Sequence, residues 1–227
     1  MLNPATDRKK TETMNEVFDI IKLIISNENY DSDNYLEKNI PMGCSRIGGP
    51  VVDLPDDIVY PEGYFFMAQL NCAEIKPFDK IGLLPENGFL YFFTRNYLDE
   101  GHVFYTLKGK EFLHRVTKKH EDNYYSGGII DDYIMETETI SSRYIIENGK
   151  KNWNYFAGEE ISKMYGIYTN CQAGEKEIFQ FVEDKNRIVL LQIGSDYAGE
   201  GCQSVFINKN DLINRDFSKC EFEYNQS

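Results

Sequence analysis

At 227 residues, 41% hydrophobic and 14% aromatic, the chain is long enough to bury a substantial core. Its 37 acidic residues against 24 basic ones leave a formal charge of -13, a field that repels phosphate backbones and anionic headgroups and so disfavours nucleic acid and membrane surfaces as partners. The bases are scattered, Lys118 and Lys119 being followed at once by Glu121 and Asp122, so no basic stripe forms.

Residues 1–12 are polar and aperiodic, which predicts a flexible N-terminus. Thr13 and Glu16 have capping-box spacing, and Val17, Phe18, Ile20, Ile21, Leu23, Ile24 and Ile25 follow at helical period, so a helix docked on a sheet is expected there. Glu28 to Asn34 reads as an acidic loop, with a helical turn over Tyr35 to Ile40. Four prolines between Pro41 and Pro61, with Gly43, Gly48 and Gly49, predict an extended, turn-rich strap. Tyr64 to Leu70 and Gly88 to Thr94 read as strands, and His102 to Leu107 and Glu111 to Val116 as a hairpin across Lys108-Gly109-Lys110. Ile129 to Ile140 suits a strand or a short helix. Gly158 to Met164 reads as a short acidic helix. Phe179 to Glu183, Arg187 to Gly194, Cys202 to Ile207 and Lys219 to Tyr224 complete the expected strands.

One scheme occurs twice: a glycine turn, a strand holding one glutamine, then a glycine and an apolar strand. It runs through Gly48-Gly49, Gln69 and Gly88-Phe89-Leu90 in the first half, and through Gly166, Gln192 and Gly201-Cys202-Gln203 in the second. The expected fold is α+β, with mixed or antiparallel sheets, an N-terminal helix, and internal duplication of two half-domains about a pseudo-twofold axis. Residues 13–227 form one domain in this reading, its halves roughly 36–125 and 126–227.

Cys44, Cys72, Cys171, Cys202 and Cys220 are an odd number at long spacings, without C-x-x-C or a neighbouring histidine, so reduced thiols are expected rather than a metal site. The first residues carry no apolar signal region, and the apolar runs are too short to cross a bilayer; a cytoplasmic setting is expected.

No catalytic motif emerges. His102, His114 and His120 lie in no nucleophile elbow, and Asp56-Asp57, Asp131-Asp132 and Glu159-Glu160 lack the spacing of a cation loop. Gly48-Gly49 could present N–H groups to an anion, but Pro50 removes a donor and no helix follows, which favours a structural turn. Gln69 and Gln192 sit among apolar residues, so each must satisfy its amide internally or face a cleft between the halves. On the cleft reading, Arg46, Gln69, Asn71, Gln192 and Asp196 are the candidate ligand-binding residues. No cofactor or metal is expected.

Ser45-Arg46-Ile47-Gly48-Gly49-Pro50, Met67-Ala68-Gln69-Leu70-Asn71 and Gly88-Phe89-Leu90-Tyr91-Phe92-Phe93, followed in order by Leu190-Leu191-Gln192-Ile193, Ser204-Val205-Phe206-Ile207 and Asp216-Phe217-Ser218, resemble the YwqG-like family of bacterial proteins. The resemblance covers most of residues 14–224. It implies an α+β fold with internal duplication, a bacterial cytosolic setting and, by likeness to proteins of toxin-immunity neighbourhoods, a toxin-neutralising role. It brings no reaction or catalytic residues. The expected function is therefore a non-enzymatic binding protein that masks a basic partner; the alternative is a small-molecule-binding protein or enzyme with a site between the halves.

Overall fold

The computed structural model describes residues 17–95, 98–118, 125–139, 144–147, 150–153, 158–169, 184–199 and 201–225. The strands are β1 (Val17–Ile25), β2 (Arg46–Ile47), β3 (Val51–Pro55), β4 (Phe65–Asn71), β5 (Phe89–Thr94), β6 (Gly101–Thr106), β7 (Leu113–Thr117), β8 (Gly128–Thr139), β9 (Tyr144–Glu147), β10 (Lys150–Trp153), β11 (Lys163–Tyr165), β12 (Arg187–Ile193), β13 (Cys202–Asn208) and β14 (Glu221–Asn225). Three short helices accompany them among the described residues: α1 (Cys72–Ile75), α2 (Ser195–Ala198) and α3 (Lys209–Asn214). The chain falls into two compact units. One comprises Leu23–Ile134 and Ile207–Glu223 and is called here the Arg46 unit; the other, the Lys163 unit, comprises Met1–Lys22, Met135–Phe206 and Tyr224–Ser227. Both β1 and β8 contribute residues to each.

In the Arg46 unit the sheet runs β8-β2-β4-β5-β6, every pair antiparallel. A ribbon of β3 and β7 carries its own antiparallel register, Asp53 opposite Arg115. Val52, Leu54, Phe66, Phe89, Tyr91 and Phe93 pack as one core cluster, with Leu113 and Val116 against it, so the ribbon is held to the sheet by apolar burial. In the Lys163 unit, β11 lies between β1 and β12, antiparallel to both. β13 lies beyond β12, and β9 pairs with β10 as a separate ribbon.

The expected α+β class and N-terminal helix are overturned: the structure is mostly antiparallel sheet, and the segment expected to be helical is β1. Val17, Ile20, Ile21, Ile24 and Ile25 are β-branched, losing side-chain freedom in a helix and fitting a pleated surface. Adjacent Ile20 and Ile21 are each 2% exposed. Neighbours in a strand point to opposite faces, so β1 is covered on both, and a strand covered on both faces reads as a continuous apolar run that periodicity confuses with a helix.

Two smaller expectations also change. Gly158 to Ser162 passes through bends into β11 with no helix. β6 and β7 form no hairpin: β6 pairs with β5 and β7 with β3, because Lys108-Gly109-Lys110 leads into a 3-10 turn over Lys110–Phe112 that redirects the chain. β8 resolves the ambiguous segment as a strand. The Thr13–Glu16 cap, residues 1–12 and the strand expected at Phe179 to Glu183 lie outside the described residues.

Candidate functional site

Arg46 on β2 and Gln69 on β4 are register partners, so their side chains share one face of the sheet. Gln69 Oε1 accepts from Arg46 Nη2 at 3.1 Å and from the Asp53 N–H at 2.9 Å, while its Nε2 donates to the Cys44 carbonyl at 3.0 Å. Arg46 Nη2 also lies 2.7 Å from Asp53 Oδ2, with both side chains fully buried. Asp53 further accepts from Gly43 N–H at 2.8 Å and from Arg115 Nε at 2.9 Å. Burial by itself would raise the Asp53 carboxyl; the hydrogen bond from Arg115, the charge of Arg46 and the Gly43 N–H outweigh it and hold the group below the ordinary carboxylate value.

Beside this pair a second linkage fixes the sheet to α1. Ser45 Oγ donates to Glu74 Oε2 at 2.7 Å and accepts from the Asn71 N–H at 2.9 Å. Asn71 caps α1 by accepting from Ala73 N–H at 3.2 Å, and donates through Nδ2 to Glu74 Oε1 at 2.9 Å. Arg46, Gln69 and Asn71 thus stand together in one network of the Arg46 unit.

The Lys163 unit contains the same arrangement built from different residues. Lys163 on β11 and Gln192 on β12 are register partners. Gln192 Nε2 donates to the Ile161 carbonyl at 3.0 Å and to the Glu159 carbonyl at 3.1 Å, and its Oε1 accepts from Thr169 N–H at 3.3 Å. Ser162 Oγ donates to Asp196 Oδ1 at 2.8 Å and accepts from Gly194 N–H at 3.1 Å. Lys163 Nζ donates to Glu138 at 2.8 and 2.7 Å and to the Ile167 carbonyl at 3.0 Å. Glu138 also accepts from the N–H groups of Ile167 and Glu159. Burial pulls Lys163 below the ordinary lysine value, and Glu138 opposes that pull.

Each clasp is therefore a serine, then a cation on the next residue of a short strand, facing a glutamine on the neighbouring strand whose following turn returns a carboxylate to the serine. Chemically this arrangement ties neighbouring segments to the sheet: the glutamine amides meet backbone groups of Cys44 and Asp53 in one unit and of Glu159, Ile161 and Thr169 in the other. Gln69, Gln192 and Arg46 are 0% exposed. Asn71 is buried, and Asp196 lies in the first turn of α2 with its Oδ1 spent on Ser162.

The sequence reading missed Ser45, Asp53, Glu74 and Arg115 in one unit, and Glu138, Ser162 and Lys163 in the other. A signal for part of the set was present: Ser45-Arg46-x-x-Gly49 and Ser162-Lys163-x-x-Gly166 share one spacing. Both turns also use left-handed backbone, at φ 56° and 78° for Gly48 and Gly49, and 66° and 80° for Tyr165 and Gly166. The N–H groups of Gly48 and Gly49 donate to the carbonyls of Met67 and Tyr125, so neither is turned to an anion. Of the histidines, His102 tilts on the Tyr64 ring and His114 lies 3.2 Å from Asp56 on the surface; His120 lies outside the described residues.

A family model, the domain of unknown function DUF1963, matches residues 45–225, a span that opens on Ser45, contains the Lys163 clasp whole and leaves out of the Arg46 clasp only its contacts at Gly43 and Cys44. The chain belongs to the DUF1963 family. Comparison with curated proteins found no match. Among the described residues no helix is long and apolar enough to cross a membrane.

Proposed function

We propose that this DUF1963 protein is a binding protein without covalent chemistry of its own, and that its acidic surface takes a basic protein partner. The observation that carries this reading is where the charge lies. Among the described residues the buried charged side chains are Arg46, Lys163, Asp53, Asp79 and Glu138, which nearly cancel, so almost all of the acidic excess behind the formal -13 lies outside them. A surface of that sign speeds association with a cationic protein and makes it sensitive to salt. The likeness to the YwqG-like family extends the proposal to a cytoplasmic immunity role, in which the basic partner is a toxin domain to be masked.

The test is affinity, measured by calorimetry, for cationic proteins encoded next to this chain, at several salt concentrations. A saturable complex whose affinity falls as salt rises is expected, while an acidic protein of equal size fails to bind. Absence of any complex at low salt overturns the proposal.

A further inference from the structure

β7 pairs with β3 and has no strand on its far side among the described residues. Lys118 N–H donates to the Pro50 carbonyl at 2.8 Å, one step beyond the register pair of Val51 and Thr117. Ladder bonds of an antiparallel pair alternate, so His114 and Val116 bond to Leu54 and Val52, while the backbone groups of Leu113, Arg115 and Thr117 face away from β3. Asp53, opposite Arg115, has the same phase: its N–H faces away from β7 and donates to Gln69. The Leu113 N–H returns to the Lys110 carbonyl. The Leu113 carbonyl and both backbone groups of Arg115 and of Thr117 have no hydrogen-bond partner among the described residues.

This edge is open to solvent. Arg115 and Thr117 are exposed, and the Arg115 side chain is the less exposed part of its residue, at 31%, so its backbone stands clear. β6, which also ends a sheet, differs: Phe217 packs on Tyr105 and Phe222 on Gly101, and Val103 is buried. Proteins guard a free edge with charge, proline or a bulge. β7 holds no proline, and its register to β3 runs without a shift. Its one permanent charge, Arg115, is turned onto Asp53 and the Ile40 carbonyl, away from any approaching strand.

We propose that β7 pairs antiparallel with β7 of a second copy of this chain, across a twofold axis at Arg115, so that two β3–β7 ribbons join into one sheet. In that register Arg115 exchanges both backbone bonds with Arg115 of the second copy, and each Thr117 N–H donates to a Leu113 carbonyl. Charge selects both the occupant and its direction. The lead-in to β7 is acidic: Glu111 precedes it and Asp56, its side chain 94% exposed, stands beside His114, while Lys108 and Lys110 are spent on Asp57 and Glu74. The exit carries Lys118. Antiparallel self-pairing lays the acidic lead-in of each copy beside Lys118 of the other, whereas parallel pairing would lay like on like. On the axis, each Arg115 charge is answered by its own Asp53. A contact between strands of five residues belongs to the small, transient class of interface. The inference is independent of the basic-partner reading.

The experiment measures amide hydrogen exchange of the full chain alone, from dilute solution to about 1 mM, with sedimentation equilibrium on the same samples. The amides of His114 and Val116, bonded within the ribbon, are expected to be protected at every concentration, and those of Arg115 and Thr117 to gain protection only as a dimer forms. Thr117→Pro removes an N–H that β3 does not use, so the ribbon persists and the dimer weakens at least about tenfold. Glu111→Lys and Lys118→Glu each weaken it and together restore it, which a contact within one chain cannot do, since the two lie roughly 20 Å apart along the strand. If Thr117→Pro fails to fold, the exchange pattern of the unaltered protein decides. A chain still monomeric at about 1 mM, a dimer in which Arg115 and Thr117 exchange freely, or protection of these two amides only on adding a cationic protein overturns the proposal.

Discussion

Lys163 shows what a buried charge demands of its neighbours. With its side chain 0% exposed, the ammonium is tolerable only because Glu138 and the Ile167 carbonyl together accept from it. Lys163→Met should therefore lower stability by about 3–5 kcal/mol, as removal of one partner strands the other charge. Adding Glu138→Gln should recover part of the loss in urea titration, because it removes the stranded charge while its one amide oxygen still accepts from the N–H group of Ile167 or of Glu159. Asp53 makes the complementary prediction about pH. Its folded-state value is depressed, so the unfolded chain takes up the proton first, and the stability contributed is complete above the ordinary value of 3.8 and lost as pH falls below it. Urea midpoints should fall on acidification below about pH 4. Asp53→Asn should be less stable at neutral pH and show a shallower acid limb.

At the scale of elements, turn geometry matters as much as strand propensity. Gly166 has φ 80°, and a Cβ there would stand 2.1 Å from Glu138 Oε1 and 2.4 Å from the Ile20 side chain. Gly166→Ala should cost about 1–3 kcal/mol from the backbone alone, with more from displacing Glu138, read as a lowered denaturation midpoint at unchanged m-value. β1 makes a second prediction. Ile21 is 2% exposed and sits opposite Met164, so Ile21→Ala should cost about 2–5 kcal/mol. Hydrogen exchange there should show the protection of a paired strand. The periodicity from Val17 to Ile25 that suggested a helix is outvoted by pairing with β11, because a strand buried on both faces carries no alternation to read.

For the whole molecule the acidic excess sets behaviour in solution. The sequence isoelectric point near 4.7 predicts a solubility minimum there, measurable by light scattering against pH, and good solubility at neutral pH. The two clasps bear on legibility at this scale. Gln69 and Gln192 were readable as internal amides because each interrupts an apolar strand. Their partners were not: Asp53 lies 62 positions from Arg115, and Glu138 lies 25 from Lys163. Nothing local in a run of acids distinguishes the one that folding will bury.

By itself the sequence determined the β-rich strands from β4 to β6 and from β12 to β14, the interior glutamines, the glycine turns and the sign of the surface. These follow from residue type and short spacing, which act before any long-range contact forms. Only the tertiary structure decided that β1 is a strand, that β7 leaves β6 for β3, and which charges pair in the interior. Those outcomes depend on which distant segments compete for a strand edge and on the cost of leaving a buried ion alone, and neither is a property of a short stretch of chain.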